Sequence, residues 1–336
     1  MAEIRQSVIA FFHRLSPVLC IVRLLPEDSR RFPDYEPGQY IALRREDCHL
    51  TKRVLDANGR PRYVLEVDAS GAPRRGPVTH SYSIASAPFE TARDGHLEFY
   101  VVLEKGDDGL TGRLTESLFR VDPARGARVG YFDRIVGDFT LDKRTAGFRD
   151  VVMVGTGTGV APFVSMLKQL DHDAGRGRAA PARYTLFYAN RTRAELAYHE
   201  DLTAVAASGR LDFSYVPAIS RPTPQDAGEP SIGRGRANNL LRHVLEMPLK
   251  EEEDLDAAAG MGEDIGLAEE ALLRAVLPVL PAQFTRRVLS ERLSAGSSVI
   301  LTCGNMSSMA DIRYVADARE IRFEKEDWRP TLAART

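Results

Sequence analysis

Cysteine, tryptophan and long apolar runs are scarce in this chain of 336 residues, which has three cysteines and one tryptophan. Cys20, Cys48 and Cys303 are far apart in sequence, so they predict neither a disulfide framework nor a cysteine-ligated metal site. No apolar run approaches the roughly 18 residues that a membrane span needs. Residues 1–6 include an early acid and lead to no apolar core followed by a small-residue cleavage site, so we expect no secretory signal and a cytoplasmic location.

An excess of charge of one sign is also absent. The formal net charge is −2, and 43% of the residues are hydrophobic and 27% charged, as in an ordinary globular protein. This balance gives no overall field that would attract nucleic acid or an anionic membrane, so we expect neither as a partner. The length exceeds that of one small domain and suits two.

The sequence pattern changes near residue 146. Before it, short runs of branched and aromatic residues alternate with turn residues, which is typical of an antiparallel β-barrel. After it, strand-like runs alternate with helical stretches, which predicts an α/β domain with a doubly wound parallel sheet. We therefore predict a barrel domain over 1–146 and an α/β domain over 147–336, with an acidic helical insertion at about 240–295. The charge run of that insertion fits either a solvated surface or a docking element.

A glycine-dense turn, VGTGTGVAPF at residues 154–163, leads from an apolar run into a helical pattern. Alternate glycines let a backbone approach a ligand closely, and a helix N-terminus attracts phosphate. The spacing differs from G-x-G-x-x-G, so the turn predicts a phosphate site without the usual dinucleotide fingerprint. The alternative is a glycine-rich connection that binds nothing. The candidate binding residues are Gly155, Thr156, Gly157, Thr158, Gly159 and Pro162.

A second candidate site lies on the predicted strand that contains residues 80–86. There, the aromatic ring of Tyr82 is next to the hydroxyl of Ser83. Such a pair can stack on a flat ring and form a hydrogen bond with its edge. The alternative is an ordinary barrel strand with a buried tyrosine.

Several segments occur in the order found in one known family. They are PGQY at 37–40, HSYS at 80–83, LEFYVV at 97–102, GLTGRL at 109–114, the glycine turn, RTRAELAY at 191–198 and TCGN at 302–305. Together, these segments resemble the ferredoxin/flavodoxin–NADP reductase family, particularly its bacterial type. The ordered set covers most of the chain outside the acidic insertion.

The resemblance implies a flavin in the barrel domain. Tyr82 would pack against the isoalloxazine or ribityl part, Ser83 would form a hydrogen bond near flavin N5, and Tyr100 lies in another flavin-contacting segment. Thr111 and Gly112 would hold the flavin pyrophosphate.

One position departs from the family pattern. His80 stands where the family usually has an arginine that pairs with the pyrophosphate. Histidine is mostly neutral near pH 7, so this difference leaves open whether the flavin is FAD or FMN, with FAD our expectation. Arg113 is the residue that we expect to compensate.

The resemblance also implies NADP in the α/β domain. Arg191 follows the second strand of that domain, where an acid would favour NAD and an arginine suits a 2′-phosphate. Ser220, Arg221 and Arg234 resemble the other positions that bind this phosphate. We therefore expect NADPH to be preferred over NADH.

Cys303 and Gly304 lie in the segment that is similar to the family's C-G-N. Three interpretations of Cys303 remain open: a buried structural cysteine, a thiol beside the nicotinamide and, least favoured, a nucleophile. Trp328 resembles the aromatic tail that covers the flavin, although a buried or merely exposed aromatic is the alternative. The catalytic candidates are thus Tyr82, Ser83 and Cys303.

These inferences predict a flavoprotein oxidoreductase that passes electrons between NADPH and a one-electron carrier such as ferredoxin or flavodoxin. An acidic carrier could be steered by nine arginines, although these also fit a solvated surface: Arg30, Arg31, Arg44, Arg45, Arg53, Arg60, Arg62, Arg74 and Arg75. The alternatives are the reductase component of an oxygenase or cytochrome system, and a non-enzymatic nucleotide-binding regulator. Three scattered cysteines exclude a fused plant-type iron–sulfur domain, which needs four ligands.

Overall fold

The computed structural model describes residues 3–28, 30–56, 58–106, 109–122 and 126–326. The chain forms two compact units, of which the first ends at Asp138 and the second begins at Phe139. A short helix, α3 (Leu141–Arg144), follows at once. Residues 139–146, which the sequence pattern assigns to the barrel, therefore lie in the second unit. Within the described ranges, no helix combines the length and the apolar character that crossing a membrane would require.

The first unit is built on an antiparallel sheet with the strand order β6-β3-β8-β1-β2-β7. Its strands are β1 (Ile4–Ser16), β2 (Leu19–Pro26), β3 (Tyr40–His49), β6 (Arg75–Ser83), β7 (Leu97–Val102) and β8 (Arg128–Val136). Among the described strands, β4 (Thr51–Leu55) and β5 (Pro61–Leu65) pair only with each other and form a separate hairpin. Two short helices, α1 (Pro88–Asp94) and α2 (Arg113–Phe119), lie in the connections.

The chain beyond edge strand β6 joins the other edge strand, β7, and so closes the sheet. The amide of Ala85 donates to the carbonyl of Glu98 at 2.8 Å, and the amide of Glu98 donates to Ser86 Oγ at 3.1 Å. Inward-facing side chains such as Ile41 and Phe99 form a single apolar core. The predicted antiparallel barrel is confirmed.

The second unit contains a six-stranded parallel sheet with the order β12-β11-β10-β9-β13-β14. Its strands are β9 (Asp150–Thr156), β10 (Arg183–Asn190), β11 (Phe213–Ile219), β12 (Gly233–Arg234), β13 (Ser298–Cys303) and β14 (Arg322–Lys325). β9 and β13 are almost wholly buried, as expected when helices cover both faces of a parallel sheet. The predicted doubly wound α/β fold is therefore confirmed.

Helices connect and cover these strands. They are α4 (Ala161–Gly175), α5 (His199–Ala207), α6 (Ala237–Val244), α7 (Lys250–Met261), α8 (Gly266–Leu273), α9 (Arg286–Ser290) and α10 (Met306–Ala318). The region 240–295 is largely helical, but its first helix is not an appendage. Leu240, Leu241 and Val244 of α6 are buried in the core of the sheet. The acidic run opens α7, where Glu252 accepts a hydrogen bond from the amide of Leu249 at 2.7 Å.

Candidate functional site

The parallel sheet has a topological switch point between β9 and β13. The chain moves outwards from β9 through β10, β11 and β12, and then returns to β13 on the other side of β9. Connections that leave neighbouring strands in opposite directions open a crevice beyond the strand ends, where ligands of such sheets bind. Gly155 and Cys303 are partners in the register between β9 and β13, so both predicted positions lie at this edge.

The glycine turn packs tightly against the end of β13. It forms a 3-10 turn, Gly157–Val160, before α4 begins. A Cβ atom on Gly159 would lie 2.2 Å from the carbonyl oxygen of Cys303, and one on Gly304 would lie 2.2 Å from Thr156 Oγ1. The amide of Asn305 also donates to Thr156 Oγ1 at 3.0 Å. At Gly159, glycine is therefore needed for the approach of two loops to each other.

The side of the turn that remains accessible consists of Thr156, Gly157 and Thr158, which are half-buried, whereas Gly159 is buried. No side chain caps the N-terminus of α4, and Pro162 occupies its first turn, as expected from the sequence. This accessible side is where a phosphate could bind. The binding roles of these residues stay predictions.

Cys303 has a partner that the motifs did not reveal. Its Sγ donates to Glu326 Oε2 at 2.8 Å, and the two residues are only 4% and 5% exposed. Burial, then the charge of Glu326 and this hydrogen bond, raise the pKa of the Cys303 thiol well above its usual value. The thiol is consequently held neutral, which disfavours a nucleophilic thiolate. Glu326 follows directly after β14, and only its place in the acidic run 324–327 could have drawn attention to it.

The predicted 2′-phosphate residues meet at the other part of the same edge. Arg191 follows β10, Ser220 and Arg221 follow β11, and Arg234 ends β12, next to Ile219 in the register. The amide of Ser220 donates to the carbonyl of Asn190 at 2.8 Å. The fold therefore places all three predicted segments at adjacent strand ends.

The arginines at this edge differ in whether a carboxylate already pairs with them. Arg191 forms two hydrogen bonds, of 2.9 and 2.6 Å, with the carboxylate of buried Glu195. Arg193 pairs with Glu229 at 3.3 Å. Within the described part of the chain, the exposed Arg221 side chain has no hydrogen-bond or ion-pair partner. Arg221 is thus the more available cation for an incoming phosphate, whereas Arg191 is held by Glu195.

Arg234 lies in a mixed cluster of charges. The amide and hydroxyl of Thr223, followed by the charges of Arg234 and Arg193, lower the pKa of Asp226. Arg234 therefore lies close to Asp226 and adds positive charge at the end of β12.

In the first unit, Tyr82 and Ser83 end β6, opposite Ile41 and Tyr40 of β3. The Tyr82 ring is half-buried against the barrel core and packs edge-on against Phe99, with ring centroids 6.3 Å apart at 77°. Desolvation raises the pKa of its phenol, so the group stays protonated. Tyr82 is therefore held by the core, and flavin contact through its remaining accessible part stays a prediction. Ser83 and Tyr100 are both buried.

His80 and Arg113 come close enough to interact. His80 is exposed by surface area, but desolvation of its ring and then the positive charge of Arg113 lower its pKa below the usual 6.5. His80 is therefore neutral at pH 7, as the sequence predicts. Arg113 opens α2 directly after Thr111 and Gly112, so it supplies a positive charge beside the position where the family has arginine.

Two further points concern Trp328 and metal binding. Trp328 lies outside the described residues. Among the residues that the structure describes, no group of three or more His, Cys, Asp or Glu side chains could hold a metal ion.

Comparison with known proteins points in the same direction. Residues 153–259 match the model of the oxidoreductase NAD-binding domain. Ferredoxin–NADP reductase B of Sorangium cellulosum is 30% identical over 170 residues, which are 50% of this chain and 62% of that protein. The chain is thus similar to ferredoxin–NADP reductases in sequence and contains a match to an oxidoreductase NAD-binding domain. The resemblance that the ordered motifs indicate is thereby confirmed.

The chain is also similar to proteins of other systems. Component C of methane monooxygenase from Methylosinus trichosporium is 32% identical over 196 residues, which are 58% of this chain and 49% of that protein. A ferredoxin–NADP reductase from Neisseria gonorrhoeae, solved with bound FAD and NADP, has the same fold, with a TM-score of 0.57 and 18% identity over 97% of this chain and 99% of that one. The chain spans about half the length of several curated relatives that it matches.

Proposed function

We propose that this ferredoxin–NADP reductase-like chain is an FAD-dependent oxidoreductase that passes electrons between NADPH and a one-electron carrier such as ferredoxin or flavodoxin. The observation that carries the proposal is the edge of the parallel sheet, where one end holds a buried neutral thiol and the other an arginine without a side-chain partner among the described residues. Such an edge suits a nicotinamide at one end and a phosphate-bearing nucleotide at the other.

The barrel residues suit a flavin with a pyrophosphate. Arg113 brings a permanent charge to the place where neutral His80 cannot bind a phosphate bidentately. A Cβ atom on Gly112 would lie 2.6 Å from Thr115 Oγ1, so glycine keeps the start of α2 compact at this point. Thr111, Gly112 and Arg113 would hold the pyrophosphate of FAD, while Tyr82 and Ser83 would lie against the flavin ring.

The α/β unit suits NADP. Thr156, Gly157 and Thr158 form the accessible side of the turn, where the nucleotide pyrophosphate would bind. Arg221 and Arg234 would bind the 2′-phosphate, and Arg191 would contribute from its pair with Glu195. These cations would favour NADPH over NADH.

In the chemistry, the chain itself would orient the two cofactors and exclude water. When bound, the two cofactors supply a hydride donor and an acceptor that can release electrons one at a time. Cys303 would present an uncharged thiol to the nicotinamide and retain its proton, because Glu326 accepts the hydrogen bond from Sγ.

The acceptor has two candidates. A ferredoxin or flavodoxin is the first, and the likeness to ferredoxin–NADP reductase B supports a ferredoxin. An oxygenase component is the second, and the likeness to component C of methane monooxygenase supports it. Four of the nine barrel arginines, Arg30, Arg44, Arg45 and Arg74, form ion pairs with nearby acids, which reduces the positive surface expected for an acidic carrier.

The visible spectrum of the purified 336-residue chain tests the proposal. We expect flavin bands, or their appearance after FAD is added, and their loss on anaerobic addition of NADPH at far lower concentrations than NADH. Reduction of ferredoxin, flavodoxin and an oxygenase component should then be compared under the same conditions. A colourless protein that binds no added FAD would support the nucleotide-binding regulator instead.

A further inference from the structure

Two surface elements of this chain expose apolar side chains that the fold does not cover. One is the β4–β5 hairpin, residues 51–65, which pairs with no other strand. The other is the α7–α8 hairpin, residues 250–273, in which α8 has no buried residue. An isolated two-stranded hairpin and a helix of eight residues are both marginal in water, because each needs packing to stabilise it.

The β4–β5 hairpin presents a basic and apolar face. Arg53 is opposite Tyr63 and Leu55 is opposite Pro61, so these four side chains share one face, and all four are exposed. Leu55 is 66% exposed and Tyr63 54%. The hairpin as a whole is basic, with four basic residues against one acid, Asp56, in 51–65. Of these, Arg53 shares the face of Leu55 and Tyr63, whereas Lys52 and Arg62 lie on the opposite face.

The α7–α8 hairpin presents the opposite charge. Residues 250–273 contain nine acidic residues and one lysine. Leu267 and Leu273 of α8 are 81% and 87% exposed, and Met261 at the end of α7 is also exposed. Apolar side chains surrounded by acids are a surface for a partner that carries apolar side chains and bases.

The root of the α7–α8 hairpin is fixed rather than loosely attached. Arg242 of α6 is fully buried and donates to Asp311 of α10, to the carbonyl of Pro248 at 3.0 Å and to Glu253 of α7 at 2.9 Å. Asn239 of α6 donates to Glu251 of α7 at 2.8 Å. A buried ionic network of this kind costs free energy if it is broken, so α7 keeps one orientation on the sheet. The network therefore fixes α7, the helix against which α8, with its exposed leucines, packs.

We propose that the β4–β5 hairpin of one copy of this chain docks on the α7–α8 hairpin of a second copy. One occupant then covers both exposed faces, apolar against apolar and basic against acidic. An acidic carrier could use only the basic face and would leave the leucines of α8 uncovered. The interface is heterologous, since different surfaces of the two copies meet.

Sedimentation velocity of the flavin-loaded 336-residue chain tests this proposal. The mass should rise above that of one copy as concentration increases. The association should weaken by about tenfold or more when the salt concentration rises from about 0.05 M to about 0.5 M, because opposite charges meet at the interface. A chain that remains monomeric at about 0.1 mM in low salt would overturn the proposal, since the interface would then be too weak to matter.

Charge reversal of each face identifies the surfaces. We expect Arg53→Glu/Arg60→Glu to be monomeric, and Glu263→Lys/Glu269→Lys to be monomeric as well. An equal mixture of the two variants should associate again, because the unchanged acidic face of the first meets the unchanged basic face of the second, and the two reversed faces also carry opposite charges. A mixture that stays monomeric would contradict the proposal.

Two controls exclude indirect effects. Arg31→Glu/Arg176→Glu makes the same change in net charge at two exposed arginines elsewhere and should associate like the wild type. Leu273→Asn removes an apolar contact without touching charge and should weaken association by about tenfold, with helix content and flavin content unchanged. If Arg53→Glu/Arg60→Glu instead loses only the reduction of an acidic carrier, while association is unaffected, the basic face docks that carrier and the proposal is wrong.

Discussion

The carboxyl edge of the parallel sheet has two parts that differ in packing and in charge. At the ends of β9 and β13, two loops interlock so closely that Gly159 and Gly304 have no room for a Cβ atom. At the ends of β10, β11 and β12, arginines and carboxylates lie at a more open surface. Packing dominates the first part and charge the second. Mutations in the first part should therefore change stability and chemistry, whereas mutations in the second should change nucleotide affinity and preference.

The largest expected effect concerns the packed part. Gly159→Ala would place a methyl group within 2.2 Å of the Cys303 carbonyl oxygen, which is backbone and cannot yield. We expect the free energy of unfolding to fall by about 3 kcal/mol, the upper range for overpacking. Urea denaturation followed by circular dichroism measures it. Gly175→Ala, in the last position of α4, meets only the flexible Arg210 side chain at 3.5 Å and should change stability little.

Arg191→Ala tests the paired arginine of the charged part. It leaves the carboxylate of Glu195 buried and without its bidentate partner. Because the Arg191 side chain is about a third exposed, we expect a loss of about 2 kcal/mol of stability, less than for a fully buried pair. Thermal unfolding measures the change. Unaltered stability would mean that the pair with Glu195 contributes nothing, and Arg191 would then be as available for phosphate as Arg221.

Arg221→Ala should separate binding from stability. The exposed side chain has no partner in the described part of the chain, so we expect unfolding to be unaffected. The KM for NADPH should rise by about tenfold, equivalent to one charge-assisted hydrogen bond of about 1.4 kcal/mol, and the KM for NADH should not change. An equal rise for both nucleotides would show that Arg221 does not recognise the 2′-phosphate.

Cys303→Ser probes the chemistry of the packed part. The shorter, more polar hydroxyl keeps a donor to Glu326 but changes the packing beside the proposed nicotinamide position. We expect the rate of flavin reduction by NADPH, measured by stopped flow, to fall by about tenfold, while the Kd for NADPH stays nearly constant. An unchanged rate would support a purely structural cysteine.

The smallest effect should come from the flavin site. His80 has a lowered pKa, so it is neutral above about pH 6.5 and becomes positive only as the pH falls through that lowered value. His80→Arg carries its charge at every pH, so it should bind FAD a few-fold more tightly at pH 8, and the advantage should shrink in acid. FAD release followed by fluorescence at several pH values measures this. Identical affinities throughout would exclude a role for position 80.

Much of the molecule could be predicted because its motifs lie in a fixed order along the chain. The glycine turn, HSYS and TCGN indicated the family, and the family carries the two-unit fold with it. The position of Arg221 after β11 likewise follows from a local strand end.

The remainder depended on contacts between residues that are distant in sequence. The Cys303–Glu326 hydrogen bond spans 23 residues, and Gly159 meets Cys303 only because β9 and β13 are neighbours. Similarly, the burial of α6 could not be separated from the acidic run that follows it, because both are helical in pattern. Motifs specify which residues reach an edge, but packing decides which of them are already engaged.

Asn305 connects the glycine turn to the start of helix α10. Its amide is tied to Thr156 in the glycine turn, and its side-chain oxygen accepts from the amides of Ser307 and Ser308 at the start of α10. If an incoming dinucleotide displaces the glycine turn, the N-terminal residues of α10 should therefore move as well. The amides of Ser307 and Ser308 should exchange with deuterium at a rate that changes with nucleotide occupancy. This exchange would report nucleotide binding without a measurement of activity or of flavin absorbance.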